Sequence, residues 1–228
     1  KMSGASEFGR AYDLMRAASG ETWRDYTRHD FVEGMKDGSL PRDCFLHYLR
    51  QDYVYLVHYS RAWALAVVKA ATQEEMGAAS ATVDALVNHE MSLHIGICAA
   101  EGISTKELFD TPEAPENLAY TRYVMDAGFS GDYLNLLSAL VPCAMGYAEI
   151  GTRLAAEATS DTYAEWINAY AGEDYQESCR VIGRLFDAAF EARLGKDYDK
   201  LPIWKTYCAT FEKASRLEAC FWQMGMDP

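Results

Sequence analysis

The sequence predicts an all-α fold, a single-domain helical bundle, and three observations point to it. Apolar residues recur at spacings of three and four rather than alternating, which is the period of amphipathic helices. Only six prolines interrupt the chain. The connections between apolar segments are short turns rich in Gly, Pro, Ser and Asp, at 37–41, 101–105, 110–115 and 129–132.

Individual helices follow from this periodicity. In the longest one, Phe45, Leu49 and Leu56 begin an apolar stripe that continues to Trp63, and Pro41 stands near the first turn, where proline is well tolerated. Residues 75–100 repeat the same pattern. We expect about eight helices, at 4–28, 41–70, 75–100, 113–128, 132–158, 161–171, 173–194 and 199–225.

Length and composition set the class of protein. The 228 residues can form one domain, 1–228, with a core large enough to need neither disulfides nor a structural metal. The chain is 50% hydrophobic and 24% charged, which is typical of globular proteins, and it shows no repeat of 20–50 residues.

Charge and cysteine usage narrow the partners and the compartment. A net charge of -13 disfavours binding to nucleic acid or to anionic membranes. The six cysteines are widely spaced without a CxxC pair, which predicts reduced thiols in a cytoplasmic protein and no cysteine zinc site. We also expect no signal peptide and no membrane span.

Common cofactor motifs are missing. The sequence contains no GxGxxG, GxxxxGK[ST], HExxH or GxSxG pattern, so we expect no bound cofactor. The nearest metal-like pattern is HEMSLH (89–94), in which Glu90 and His94 share one helix face at i,i+4. Such a pair could contribute to an iron site, but an ordinary pair on a solvated face is the favoured interpretation.

The segment LVPCAMGYAEIG (140–151) places a thiol directly after a proline. Cys143 could be simple packing material, since free cysteine is often buried. Because Pro142 has no backbone N–H, a helix either begins or kinks there. If the helix begins at Pro142, its free N–H groups and dipole would help to hold Cys143 as a thiolate.

Two carboxylates lie among apolar neighbours and suggest acid–base chemistry. Asp52, in QDYVYL (51–56), is either a surface residue or a buried carboxylate that needs a partner, and Tyr55 shares its helix face. Glu218, beside Phe221 and Trp222, is either structural or a general acid whose pKa is raised by desolvation. The 15 tyrosines would together suit a pocket for a flat polar ring.

In their order and spacing, four segments resemble the TenA/thiaminase II family, the aminopyrimidine aminohydrolases of thiamin salvage, and nearly the whole chain is covered. They are DGSLPRDCFLHYLRQDYVYL (37–56), LVPCAMGYAEIG (140–151), WINAYAG (166–172) and EACFWQMG (218–225). The resemblance implies a haem-oxygenase-like fold, a homotetramer, and no metal or organic cofactor. Since Cys143 is present, the chain resembles the cysteine-bearing branch.

The resemblance also implies which residues act. By motif, the catalytic residues would be Cys143, Glu218 and Asp52, and the substrate-binding residues Tyr55, Tyr120, Tyr147 and Tyr170. Cys143 would add to C6 of 4-amino-5-aminomethyl-2-methylpyrimidine, expel the amine and leave the hydroxymethyl product; thiamin is a second candidate substrate. The small Ala144 and Gly146, where some relatives are bulkier, leave the width of the leaving-group pocket open.

Two other functions remain at this point. One is a metal-dependent oxygenase on the same scaffold, using Glu90 and His94 as ligands. The other is a non-catalytic pyrimidine-binding regulatory protein.

Overall fold

The computed structural model describes residues 6–228, and within this range every regular element is helical. The predicted all-α bundle is therefore confirmed. The α-helices are α1 (Arg10–Ser19), α2 (Glu21–Thr27), α3 (Asp30–Asp37), α4 (Arg42–Lys69), α5 (Gln73–Ala85), α6 (Met91–Ala100), α7 (Thr105–Phe109), α8 (Pro115–Ser130), α9 (Tyr133–Glu157), α10 (Ala164–Ala171), α11 (Glu173–Leu194) and α12 (Trp204–Met226).

The N-terminal part differs most from the prediction. The expected helix 4–28, whose first two residues lie outside the described range, is two helices that meet at Gly20. The φ of Gly20 is 52°, a left-handed conformation that glycine adopts without a steric cost, so the chain turns sharply between α1 and α2. The short helices α3 and α7 were not predicted, because each presents too few turns for a periodic pattern.

The predicted helix 75–100 contains an irregularity that matters for the site. A π-helical turn, Leu86–Glu90, joins α5 directly to α6. A π turn holds one more residue than an α turn, so it changes which side chains face the interior. Its last residue is Glu90, and His94 follows one turn later in α6.

The centre of the fold is α9, which packs against α4, α8, α10, α11 and α12. By length and composition alone, α9 is the one described helix that is apolar enough to cross a membrane. Of its most apolar 18-residue window, 89% is buried inside the protein, as expected for the core helix of a bundle. Cys143 lies in the middle of this helix.

Candidate functional site

A cavity of about 550 Å³ opens between α4, the α5–π–α6 segment, α9, α10 and α11. Five residues singled out in the sequence line it, on three helices far apart in the chain: Asp52, Tyr55, Cys143, Tyr147 and Tyr170. Glu218 and Tyr120 lie in the layer behind, where the ring of Tyr120 packs on that of Tyr55 with 4.9 Å between centroids. A cavity of this size suits a small organic ligand.

Pro142 lies inside α9, so the helix does not begin there. The thiol of Cys143 therefore has no helix N-terminus beside it, and the dipole contribution considered above does not apply. Burial raises the pKa of Cys143 well above its ordinary value, and the charges of Glu218 and Glu90 raise it further. A thiol with its pKa raised in this way is neutral at pH 7 and would need a base to act as a nucleophile.

Side-chain donors hold the backbone of α9 around Cys143. Proline removes one helical hydrogen bond, and nearby carbonyls accept others instead. Tyr26 donates to the carbonyl of Pro142 at 3.0 Å, Tyr59 to that of Leu140 at 2.7 Å, and Tyr175 to that of Ala144 at 3.0 Å. The position of the thiol is thus fixed by tyrosines from α2, α4 and α11.

Glu218 is a candidate base. Its side chain is 2% exposed and accepts a hydrogen bond of 2.6 Å from the hydroxyl of Tyr120. Burial raises the pKa of Glu218 to about 8, with a further contribution from the charge of Asp52 and against the opposing effects of the Tyr120 hydroxyl and the nearby Cys143 thiol. A carboxyl group with a pKa near neutrality, close to a thiol, can take up and return a proton.

Asp52 is buried, 3% exposed, and has two partners on one oxygen. Its Oδ2 accepts from the hydroxyl of Tyr48 at 3.2 Å and lies 2.6 Å from Nε2 of His94. Of the two interpretations left open for Asp52, a surface residue is wrong. So is the solvated-face interpretation of the Glu90–His94 pair, because His94 is 0% exposed and points at Asp52.

Tyr48 and His94 are site residues that the motif comparison missed. The hydroxyl of Tyr48 lies 2.7 Å from that of Tyr147, which extends the hydrogen-bonded chain across the cavity wall. The spacing could have revealed Tyr48, since it precedes Asp52 by four residues and must share its helix face. For His94, the apolar residues on both sides of it were the available signal for burial.

Other tyrosines offer unsatisfied hydroxyl groups. Those of Tyr55 and Tyr170 are buried and have no hydrogen-bond partner among residues 6–228. Because such groups are costly to bury alone, they are natural contacts for a polar ligand. The ring of Tyr147 packs between Tyr170, at 4.9 Å, and Trp222, at 5.6 Å. The inner wall is therefore aromatic and rigid, with polar tips.

The outer part of the cavity is acidic. Asp84 and Asp174 are exposed there, Glu90 lies deeper on the same wall, and across the described chain neither Lys nor Arg contributes to the lining. The carboxylates of Glu90 and Asp174 have no hydrogen bond or ion pair within residues 6–228, although Glu90 is only partly exposed. Burial raises the pKa of Glu90 to about 7. This region favours cations over anions.

A metal site of the kind the oxygenase alternative requires is not formed by these residues. In the described part of the chain, no three His, Cys, Asp or Glu side chains are grouped as ligands would be. Both ring nitrogens of His94 are also engaged, Nε2 by Asp52 and Nδ1 by the backbone carbonyl of Glu90 at 3.0 Å. His94 therefore has no free nitrogen for a metal.

Comparison with known families assigns the chain. The sequence model of the TENA/THI-4/PQQC family matches residues 16–228. The chain belongs to this family. The resemblance to TenA proteins inferred from the four motifs is thereby confirmed, and the match extends almost to both ends of the described residues.

Several relatives are similar over most of their length. A protein of Haemophilus influenzae without an assigned function is 38% identical over 90% of this chain and 94% of its own. The aminopyrimidine aminohydrolase of Halalkalibacterium halodurans is 35% identical over 89% of each chain. The crystal structure of a protein titled a TenA family transcription regulator, from Silicibacter sp. TM1040, is 59% identical with a TM-score of 0.96, over 97% of this chain and 99% of that one.

Proposed function

We propose that the protein is an aminopyrimidine aminohydrolase of thiamin salvage that works through a covalent adduct on Cys143. The observation that supports this most is the position of Cys143 and Asp52 on the wall of one aromatic cavity, with Glu218 in the layer behind them. The 35% identity to a named aminopyrimidine aminohydrolase, over 89% of both chains, supports the same substrate class.

The ring would lie at the inner end of the cavity. Asp52 presents a carboxylate oxygen to the amino edge of the pyrimidine, and the unpartnered hydroxyls of Tyr55 and Tyr170 are available to its nitrogens. Tyr147 supplies a broad face next to Cys143. Tyr120 acts one layer back, by holding Glu218. These contacts orient C6 of the ring towards the thiol.

The first half-reaction begins at the thiol. Glu218, as a carboxylate, takes the proton of Cys143, and the sulfur forms a bond to C6 while an electron pair moves onto the ring nitrogen. That pair then expels the amine from the C5 methylene. The amine departs with the proton that Glu218 received, and the ring is left with an exocyclic methylene.

The second half-reaction restores the enzyme. Water adds its oxygen to the methylene, and Glu218 accepts the proton that the water loses. The electron pair returns to the ring, the C6–S bond breaks, and the thiolate of Cys143 regains its proton from Glu218. The sum is hydrolysis of one C–N bond with no net change in either residue.

The acidic outer region suits the leaving group. Glu90, Asp84 and Asp174 attract a substrate that arrives as an ammonium or thiazolium cation. A phosphorylated substrate would meet these carboxylates without a basic residue to compensate. We propose that the aminomethyl pyrimidine is the principal substrate and that thiamin is accepted where the outer cavity has room.

The setting of the enzyme is also part of the proposal. A single contiguous core cluster supports one domain over residues 1–228, and six free cysteines support a reducing, cytoplasmic location. The homotetramer is supported by exposed apolar side chains such as Val68, Phe109 and Phe129, which are 78%, 68% and 69% exposed. Light scattering after size exclusion would measure the assembly directly.

A regulatory role is the second candidate, because the 59% identical structure is titled a transcription regulator. The net charge of -13 disfavours direct contact with the DNA backbone. Regulation through ligand binding alone would predict that Cys143→Ala leaves the biological effect intact.

Product analysis tests the proposed activity. The purified protein is incubated with the aminomethyl pyrimidine or with thiamin, and the hydroxymethyl product is quantified. We expect product from the wild type, a loss of at least about a thousandfold in Cys143→Ala because the nucleophile is gone, and an unchanged melting temperature. The exposed Cys220→Ala is the matched control and should keep full activity.

Two results would contradict the proposal. One is hydrolysis that survives in Cys143→Ala. The other is wild-type protein that binds the pyrimidine without turning it over, which would favour the regulatory role.

A further inference from the structure

The pair formed by His94 and Asp52 has a protonation state that its geometry determines. Nδ1 of His94 lies 3.0 Å from the backbone carbonyl oxygen of Glu90, which can only accept a hydrogen bond. Nδ1 must therefore be protonated. Nε2 lies 2.6 Å from Oδ2 of Asp52, so a second proton must lie between these two atoms.

That second proton belongs to His94 or to Asp52, and the surroundings favour His94. Oδ2 also accepts a hydrogen bond from Tyr48 at 3.2 Å, as expected of a carboxylate oxygen rather than of a protonated one. Although burial lowers the pKa of His94, the hydrogen bond and charge of Asp52 more than compensate and raise it. The pair is an imidazolium bound to a carboxylate.

The other oxygen of Asp52 is left for a ligand. Oδ1 has no hydrogen bond within residues 6–228, and Asp52 lines the cavity. The His94–Glu90 and Tyr48–Tyr147 hydrogen bonds fix the carboxylate from two sides, so it has one orientation. Glu90 and Glu218 form no ion pair within residues 6–228, and burial raises the pKa of each, to about 7 and about 8.

We propose that His94 is a positioning residue, which as a buried imidazolium keeps Asp52 ionised and oriented so that Oδ1 accepts the N–H edge of the aminopyrimidine. This inference rests on the proposed function for the identity of the ligand. An anionic acceptor at this point favours the ring in a form that carries an N–H, and a ring nitrogen with a proton draws electrons away from C6. His94 therefore assists the attack of Cys143 without touching the substrate.

The titratable groups that face the pair come from every adjoining element. They are Glu90 from the π turn, Tyr48 from α4, Cys143 and Tyr147 from α9, Tyr170 from α10 and Glu218 from α12. The phenols, the thiol and Glu218 hold their own protons at neutral pH, because burial raises the pKa of each, so they do not take a proton from His94. Glu90, whose pKa burial raises to about 7, is partly ionised, and its charge raises the pKa of His94.

The direct test is nitrogen NMR on the full-length protein. With labelled histidine, the five imidazoles are recorded between pH 6 and 9, and His94 is assigned by its loss in His94→Gln. We expect both nitrogens of His94 to remain protonated at pH 8 in the wild type and one of them to lose its proton in Asp52→Asn. A neutral His94 at pH 7 in the wild type would overturn the inference.

Kinetics supply a readout that a merely structural role would not change. His94→Gln keeps an N–H that can reach Asp52 but removes the positive charge beside the carboxylate. We expect kcat/KM to fall about tenfold at pH 7 and the pH profile of kcat/KM to differ from that of the wild type, because the charge beside the carboxylate is gone. His47 lies on a different face of α4 from Asp52, so His47→Gln is the control and should match the wild type.

A double-mutant cycle checks that His94 acts through Asp52. The double variant His94→Gln with Asp52→Asn should be no slower than Asp52→Asn alone. Additive losses would overturn the inference. Because NMR reads the protonation state without turnover, its result stands even if product analysis finds no hydrolysis, and the two proposals can fail separately.

Discussion

The inner and outer ends of the cavity are built differently. At the inner end, Asp52 is held by His94 and Tyr48, and Tyr147 packs between two aromatic rings. At the outer end, Asp174 has no partner within residues 6–228, and neither has the carboxylate of Glu90, which lies deeper on the same wall. Fixed hydrogen bonds select a ring by its shape and edge, whereas unpartnered carboxylates select only by charge. We infer a site that is strict about the pyrimidine and tolerant of its leaving group.

The largest effect after loss of the thiol should come from Glu218→Gln. Glu218 must be ionised to take the thiol proton, so wild-type kcat/KM should rise as the pH passes about 8. The variant should be about a hundredfold slower and should lack this rise. Glu212→Gln, on the same helix but bound to Thr22 and Arg216, is the control. If kcat/KM still rises with pH in Glu218→Gln, the group that titrates is not Glu218.

The same variant separates catalysis from stability. Because the folded pKa of Glu218, about 8, exceeds that of an ordinary Glu, about 4.5, the wild type loses stability as the pH rises from about 4.5 to 8. Glu218→Gln should therefore be more stable than the wild type by on the order of 3 kcal/mol at pH 7, and by nearly nothing at pH 4.5. Denaturant unfolding at the two pH values measures this difference.

Gly146→Ala tests the inner end of the cavity without changing the acidic residues of the outer end. A methyl group at residue 146 would overlap the ring and hydroxyl of Tyr26, which would have to leave the carbonyl of Pro142. We expect a loss of about 2 kcal/mol in the free energy of unfolding and a lower kcat as Cys143 shifts. Gly77→Ala is the matched control, since it is helical, exposed and has open space around it, and it should not destabilise.

The smallest effect should come from Glu90→Gln, on the acidic wall of the cavity. Because burial raises the pKa of Glu90 to about 7, its charge develops between pH 6 and 8. We expect KM for the aminomethyl pyrimidine to rise about tenfold at pH 8 and little at pH 6, while inhibition by the neutral hydroxymethyl product is unchanged. An equal loss of affinity for both ligands would indicate a steric role instead.

Sequence periodicity was sufficient for the long helices, because α4 and α9 are long apolar segments that begin directly after Pro41 and Asp132. It could not show that α5 and α6 are joined by a π turn, since a one-residue shift in the apolar pattern is too small for the spacing to reveal. It could not decide between the two roles of Pro142 either. Whether the helix continues through Pro142 depends on tyrosines from α2, α4 and α11, which donate hydrogen bonds to the α9 carbonyls.

The candidate site, like the fold, could be predicted only in part from the sequence. Motif resemblance located seven residues, and geometry brings five of them to the cavity wall with two behind it. His94 was assigned to a solvated face, because its i,i+4 partner Glu90 is charged and nothing local indicates that Asp52 approaches from α4. A contact between residues 42 positions apart depends on packing, which a single sequence does not display.

The π turn at Leu86–Glu90 has a consequence for the length of the chain. Removing one of its five residues would restore a regular α-helix and leave α6 close to its present orientation, because the wider π turn accommodates one extra residue. A further inserted residue would instead rotate α6 by about 100° relative to α5 and swing the imidazole away from α4. Single-residue deletions within the π turn should therefore be tolerated better than single-residue insertions, and a scan of both along this segment would show it.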